Sequence, residues 1–137
     1  MKNLILLFFM LNALCAGLLA AEYAVISNKN IKSLTKEKAK AIFLRKLVML
    51  DDSKIIPVNL SPRDSVRNSF EKKVIGMSFN RLKSYWTKQH YLGHRPPLTM
   101  KSQQSILAFI KKVDGAIGYV DLDNVDDDVK ILYRWSD

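Results

Sequence analysis

The chain has 137 residues, of which 48% are hydrophobic, a formal net charge of +9, and one cysteine, Cys15. This length suits one domain of ordinary size, and a single cysteine excludes a framework of disulfides within the chain. The excess of lysine and arginine favours anions as binding partners.

The first 21 residues predict a secretory signal peptide that is separate from the folded domain. A lysine at position 2 precedes the apolar run LILLFFMLNALCAGLLA, which ends in small residues just before Glu22. A charged start, an apolar run and small residues at the cleavage zone are typical of such signals. We expect cleavage after Ala20 or Ala21. The alternative is an uncleaved membrane anchor, because about 20 apolar residues suffice to span a bilayer.

The exported domain is expected to cover residues 22–137. These residues contain no cysteine, and a chain of this size can bury an adequate core without disulfides or metal. Export without disulfides favours a periplasmic or secreted bacterial protein. Export also argues against nucleic acid as the target of the basic surface.

The predicted elements alternate between strands and helices along the exported domain. Strands are predicted for EYAVIS, KIIPVNL, GAIGYV and VKILYRW, and helices for LTKEKAKAIFL, residues 62–75, SFNRLKSYWTKQHYL and residues 102–113. Pro57 predicts an edge position or an irregular start for the second strand, and GHRPPLTM is expected to be a loop. Such alternation is typical of an α/β layer structure with a partly parallel sheet.

The stretch SPRDSVR is the strongest candidate for a binding site because a strand leads there into the start of a helix. Ser61 is the expected N-cap, and the N–H groups of a first helical turn can bind an anion at the positive end of the helix dipole. The hydroxyls of Ser61 and Ser65 can donate to an oxyanion, and Arg63 and Arg67, spaced i and i+4, can clamp it. Asp64 competes for the same donors. A well-capped helix with basic residues outside is the alternative interpretation.

Other patterns that could indicate metal binding or catalysis are weak. His90 and His94 have the i, i+4 spacing of helical metal ligands, but Gly93 lies between them and no third ligand is close in sequence. The acidic run DLDNVDDD departs from a calcium loop and favours a solvated turn. No nucleophile, base and orienting group can be named together. We therefore expect that the protein is not an enzyme and that it binds no cofactor or metal ion.

Three stretches together resemble a known family. SLTKEKAKAIFLRK, PVNLSPRDSVRNSF and GAIGYV follow the order and rough spacing seen in phosphate ABC transporter substrate-binding proteins, and the chain is most similar to short, single-lobe relatives of this type 2 periplasmic binding protein family. The resemblance covers Leu34 to Leu132. It implies an α/β fold, a single lobe of the type 2 periplasmic binding protein fold with a mixed sheet flanked by helices. It also implies that an oxyanion contacts the turn formed here by Asp64, Ser65 and Val66.

The sequence thus predicts an exported, non-enzymatic domain that binds phosphate or another small oxyanion. The candidate ligand-binding residues all lie in the turn: Ser61, Arg63, Asp64, Ser65, Val66 and Arg67. One alternative is a protein-interaction or sensor module that kept the fold and lost the ligand. A protein partner or a second copy of the chain would complete the cleft, and peripheral contact with anionic membranes through the lysine-rich helices is a further alternative.

Overall fold

The computed structural model describes residues 20–28 and 31–137, so the predicted signal peptide lies almost wholly outside the described residues. Ala20 and Ala21, on either side of the first predicted cleavage point, precede the first strand directly. Within the described ranges, none of the helices has the length and apolar character needed to cross a bilayer.

A five-stranded mixed sheet forms the centre of the domain, in the order β5-β4-β6-β1-β7. Its strands are β1 (Glu22–Ser27), β4 (Ile56–Leu60), β5 (Leu98–Met100), β6 (Ala116–Asp121) and β7 (Lys130–Ser136). β4 runs parallel to β5 and β6, whereas β1 is antiparallel to both β6 and β7. The expectation of an α/β layer structure with a partly parallel sheet is confirmed.

Four α-helices accompany the sheet, and each begins at a side-chain cap. They are α1 (Lys36–Phe43), α2 (Ser65–Phe70), α3 (Phe79–Tyr91) and α4 (Gln103–Lys112). The side chains of Thr35, Ser78 and Ser102 accept hydrogen bonds from backbone N–H groups at the starts of α1, α3 and α4. A π-helix (Glu71–Ile75) continues α2 without a break and ends at Gly76, whose φ of 68° is left-handed.

The core lies between the sheet and the helices and is rich in aromatic rings. Phe70 stacks on Tyr119 with ring centroids 4.1 Å apart, and Phe43 meets Phe70 edge-on at 4.7 Å. All three side chains are buried. These contacts join α1, α2 and β6, so they anchor the end of α2 against the sheet.

The start of the second helix differs from the sequence-based prediction. The structure begins α2 at Ser65 and caps it with Asp64, whereas we predicted a cap at Ser61 and a helix from Pro62. The backbone N–H of Asp64 donates to the carbonyl of Ser61 at 2.9 Å, closing a turn before the helix. This arrangement is reasonable because Asp is as good an N-cap as Ser, and only the tertiary position of β4 selects between them.

Two further predictions were wrong at the sheet edge. Part of the expected loop GHRPPLTM forms the edge strand β5, which pairs with Val58 to Leu60 of β4. β4 is therefore an interior strand. Of the two outcomes that Pro57 predicted, the edge position is wrong, and an irregular start was the alternative. The strand tolerates Pro57 because pairing with β5 starts only at Val58. A small hairpin, β2 (Met49–Leu50) with β3 (Ser53–Lys54), was not predicted.

Candidate functional site

The turn between β4 and α2 lies where the parallel strands end. β4 and β6 run in the same direction and end at Leu60 and Asp121, so their carboxyl ends meet at one edge of the sheet. In α/β sheets this edge is where ligands usually bind. The turn from Ser61 to Asp64 follows Leu60 directly, which gives the predicted site the expected location in the fold.

Asp64 uses its side chain to cap α2. Its Oδ1 accepts from the backbone N–H of Val66 at 2.8 Å, and the side chain of Val66 is buried in the core. Val66 therefore contributes packing and a backbone donor that is already satisfied. Ser65, the first helical residue, is exposed and Ser61 is half-buried. Their hydroxyl groups are the uncharged polar side-chain groups of the turn.

The two arginines of the turn have different surroundings. Arg67 is mostly covered, with 16% of its side chain exposed. Its Nη1 donates to the carbonyl of Leu60 at 2.9 Å, and its Nε donates to Oε1 of Glu71 at 2.7 Å. Arg63 is exposed. The arginines therefore do not form the symmetric clamp that their i, i+4 spacing suggested; Arg67 braces the strand end against α2 and the π-helix.

Two residues that the sequence did not assign to the site contribute to this edge. Glu71 is half-buried and pairs with Arg67. Its i, i+4 spacing to Arg67 was the available signal. Tyr119 donates from its hydroxyl to Oδ1 of Asn59 at 2.9 Å and accepts from the N–H of Leu60 at 3.3 Å. Burial raises the pKa of Tyr119 well above its usual range, so the hydroxyl stays protonated.

The other sequence candidates do not assemble into a site. Among residues 20–28 and 31–137, no group of three or more His, Cys, Asp or Glu side chains has an arrangement suited to a metal ion. His94 lies against Gln89, with His94 Nδ1 and Gln89 Oε1 2.8 Å apart. Asp126 in the acidic turn accepts from Lys111 at 2.6 Å, and this hydrogen bond lowers the pKa of its carboxyl group.

The comparisons show the fold: the domain has an α/β fold similar to about half of the chain of phosphate ABC transporter substrate-binding proteins, as expected for a single lobe. The chain is similar in structure to such a protein from Clostridium perfringens with bound phosphate, with a TM-score of 0.66 and 22% identity. The match covers 82% of this chain and 45% of the other. No protein-family model and no curated protein matches the chain.

Two further structures are similar in the same way. An ABC-type phosphate transport receptor from Vibrio cholerae matches with a TM-score of 0.64 and 19% identity over 82% of this chain and 46% of the other. PstS from Borrelia burgdorferi matches with a TM-score of 0.54 and 19% identity over 75% and 42%. The chain thus spans less than half the length of these proteins. Its resemblance to the family is confirmed at the level of the fold.

Proposed function

We propose that this domain is an exported, non-enzymatic lobe that binds phosphate or another small oxyanion at the turn from Ser61 to Arg67. The main support is the location of this turn at the carboxyl edge of the parallel strands, in a fold shared with a structure that contains bound phosphate. The hydroxyl groups of Ser61 and Ser65 and the exposed guanidinium of Arg63 are the donors available to such a ligand.

The proposed site has weak affinity for a free ion. Asp64 repels an oxyanion at the helix start, and Glu71 offsets the charge of Arg67. A lone lobe also leaves one side of the ligand in water, where high dielectric screening weakens each charged contact. We therefore expect millimolar affinity for the isolated domain, and tighter binding only when a protein partner or a second copy covers the turn.

Titration calorimetry of residues 22–137 with phosphate and with sulfate tests this proposal. Arg63→Ala should weaken binding because it removes an exposed positive charge. Asp64→Asn should strengthen binding several-fold, since the amide keeps the helix cap while a negative charge is lost. Arg81→Ala, an exposed arginine on α3, is the matched control and should leave the affinity unchanged. No heat at millimolar ligand would remove the proposal for the isolated chain.

The second candidate is an interaction or sensor module that kept the fold and lost the ligand. The observation favouring it is that the polar groups of the turn already satisfy one another: Asp64 caps α2, and Arg67 is paired on two sides. This candidate predicts no phosphate or sulfate heat in any variant. If it acts by self-association, sedimentation velocity should show a dimer that forms with concentration and is unaffected by phosphate.

Export to the periplasm is also part of the proposal and needs its own measurement. The full chain expressed in a Gram-negative bacterium should be recovered from the periplasm with Ala21 or Glu22 as its first residue, read by N-terminal sequencing. A product that keeps its first residues and stays in the membrane fraction would instead support an uncleaved anchor.

A further inference from the structure

A groove of about 520 Å³ lies beside the turn, between α2 with its π-helix on one side and α3 on the other. Gly76 and the two residues after it reverse the chain, so the two helical segments form the walls. The volume lies in the range of small-molecule sites, which are mostly apolar with a few polar groups. The residues that line the groove include Arg67, Glu71, Lys72, Phe79, Lys83 and Trp86.

The charges of this groove favour an anion. Arg67, Lys72 and Lys83 line it, against the single carboxylate of Glu71. Glu71 is already bound by Nε of Arg67, and Lys72 and Lys83 are exposed. The two lysines therefore supply positive charge that no ion pair within the described residues cancels.

Beside Lys83, the α3 wall carries the aromatic rings of Phe79 and Trp86. Trp86 packs edge-on against Tyr85, with ring centroids 5.0 Å apart, and the hydroxyl of Tyr85 donates to the carbonyl of Leu44. Burial raises the pKa of Tyr85, which keeps this donor protonated. Phe79, at the start of α3, is 76% exposed. A ring that exposed costs free energy in water, and a bound apolar group would cover it.

We infer that this groove binds an organic anion with an apolar body, the body lying on Phe79 and Trp86 and the charged group reaching Lys72 or Lys83. This ligand class goes beyond a small inorganic oxyanion, which has nothing to place against the aromatic wall. The groove shares Arg67 with the turn. The inferred contacts are with the two lysines and the aromatic rings, which lie outside the turn, so the inference does not depend on oxyanion binding at Ser61–Arg67.

The test uses octanoate as the probe and the two tryptophans as reporters. Trp86 lies in the groove, whereas Trp135 is buried and donates to Ser69 at 2.9 Å. In ¹H–¹⁵N spectra of residues 22–137, octanoate should shift the Trp86 indole signal saturably and leave the Trp135 signal in place. Octanol, which lacks the charge, and acetate, which lacks the apolar body, should each bind at least about tenfold more weakly.

Matched variants on α3 distinguish octanoate binding in the groove from nonspecific adsorption to the protein surface. Phe79→Ala and Lys83→Glu should each weaken octanoate by about tenfold. Tyr91→Ala and Lys88→Glu remove an aromatic ring and reverse a charge at exposed positions of α3 that do not line this groove, and they should leave the affinity unchanged. The inference is overturned if octanoate causes no saturable shift, if octanol binds equally well, or if the control variants lose as much as the groove variants. None of these outcomes decides whether the turn binds an oxyanion, which the phosphate titration tests separately.

Discussion

The carboxylate of Asp137 joins the end of the chain to α2 and β1 through two hydroxyl groups. Its Oδ1 accepts from Ser69, its Oδ2 accepts from Tyr23 at 2.7 Å, and Ser69 in turn accepts from Nε1 of Trp135. The hydrogen bond from Ser69, followed by that from Tyr23, lowers the pKa of Asp137. Burial, with a smaller effect of Asp137, raises the pKa of Tyr23 to about 12.

The lowered pKa of Asp137 makes stability depend on pH in acid. A carboxyl group whose pKa is lower in the folded state stabilises the fold above its unfolded pKa, and this contribution disappears as the pH falls through the folded pKa. Asp137→Asn should therefore cost about 1 kcal/mol at neutral pH, a value reduced for solvent exposure. The cost should shrink below about pH 4, where the unfolded carboxyl begins to bind protons.

Urea unfolding followed by circular dichroism measures this difference across the acid range. Asp127→Asn is the control, since Asp127 is exposed and makes the same change of charge in the acidic turn. If the loss of unfolding free energy in Asp137→Asn did not change with pH, the network would not depend on the negative charge of the Asp137 carboxylate.

At the scale of elements, α4 packs unusually close to the sheet at Gly118 of β6. A Cβ atom at Gly118 would lie 2.7 Å from Cγ2 of Ile106 and 3.2 Å from Cγ2 of Val58. Ile106 is fully buried against the sheet. The absence of a side chain at Gly118 therefore sets the distance between α4 and the parallel strands.

Gly118→Val should lower the free energy of unfolding by about 1–3 kcal/mol, because a larger side chain forces α4 away from β6. Ala108→Val adds a β-branched side chain on the exposed face of α4 and should cost less than about 1 kcal/mol. Thermal and urea unfolding of both variants provide the comparison. If Gly118→Val costs no more than Ala108→Val, the close approach of α4 to β6 at Gly118 does not limit stability.

The elements that the sequence predicted well are those with strong local signals. β1, β6 and β7 have apolar or β-branched runs, and α1, α3 and α4 begin within two residues of their predicted starts. β5 was missed because three residues beside two prolines carry no clear periodicity, and pairing with β4 decides their conformation. The π-helix was missed because no local sequence pattern distinguishes it from a continued α-helix.

At the scale of the whole molecule, positive charge is concentrated in one continuous part of the chain. Residues 72–113 contain no Asp or Glu, and their lysines and arginines are Lys72, Lys73, Arg81, Lys83, Lys88, Arg95, Lys101, Lys111 and Lys112. Phe79, Tyr91, Leu92 and Leu98, in the same segment, are exposed. Only Lys111 of these cations forms an ion pair within the described residues, with Asp126 and Asp128.

This segment predicts weak, salt-dependent association with anionic membranes. Residues 22–137 should co-sediment with vesicles of anionic phospholipid at low ionic strength, since each lysine or arginine near such a surface contributes about 1 kcal/mol. Binding should disappear at about 1 M salt, where the screening length falls to about 3 Å. Neutral vesicles are the control. Binding that persists in high salt would point to apolar insertion and contradict this prediction.

Local signals in the sequence were enough to predict the α/β class, most helix positions and the resemblance to phosphate-binding lobes, because capping and hydrophobic period are local properties. The use of the turn after β4 depends on tertiary contacts. Ser61, Asp64 and Ser65 are all residue types that cap helices well, and the i, i+4 spacing of Arg63 and Arg67 would let both contact one ligand. The end of β4 brings the carbonyl of Leu60 to Arg67, Glu71 completes the pair, and Asp64 reaches the N–H of Val66. Such choices depend on contacts between β4, α2 and the π-helix, which residue order alone does not fix.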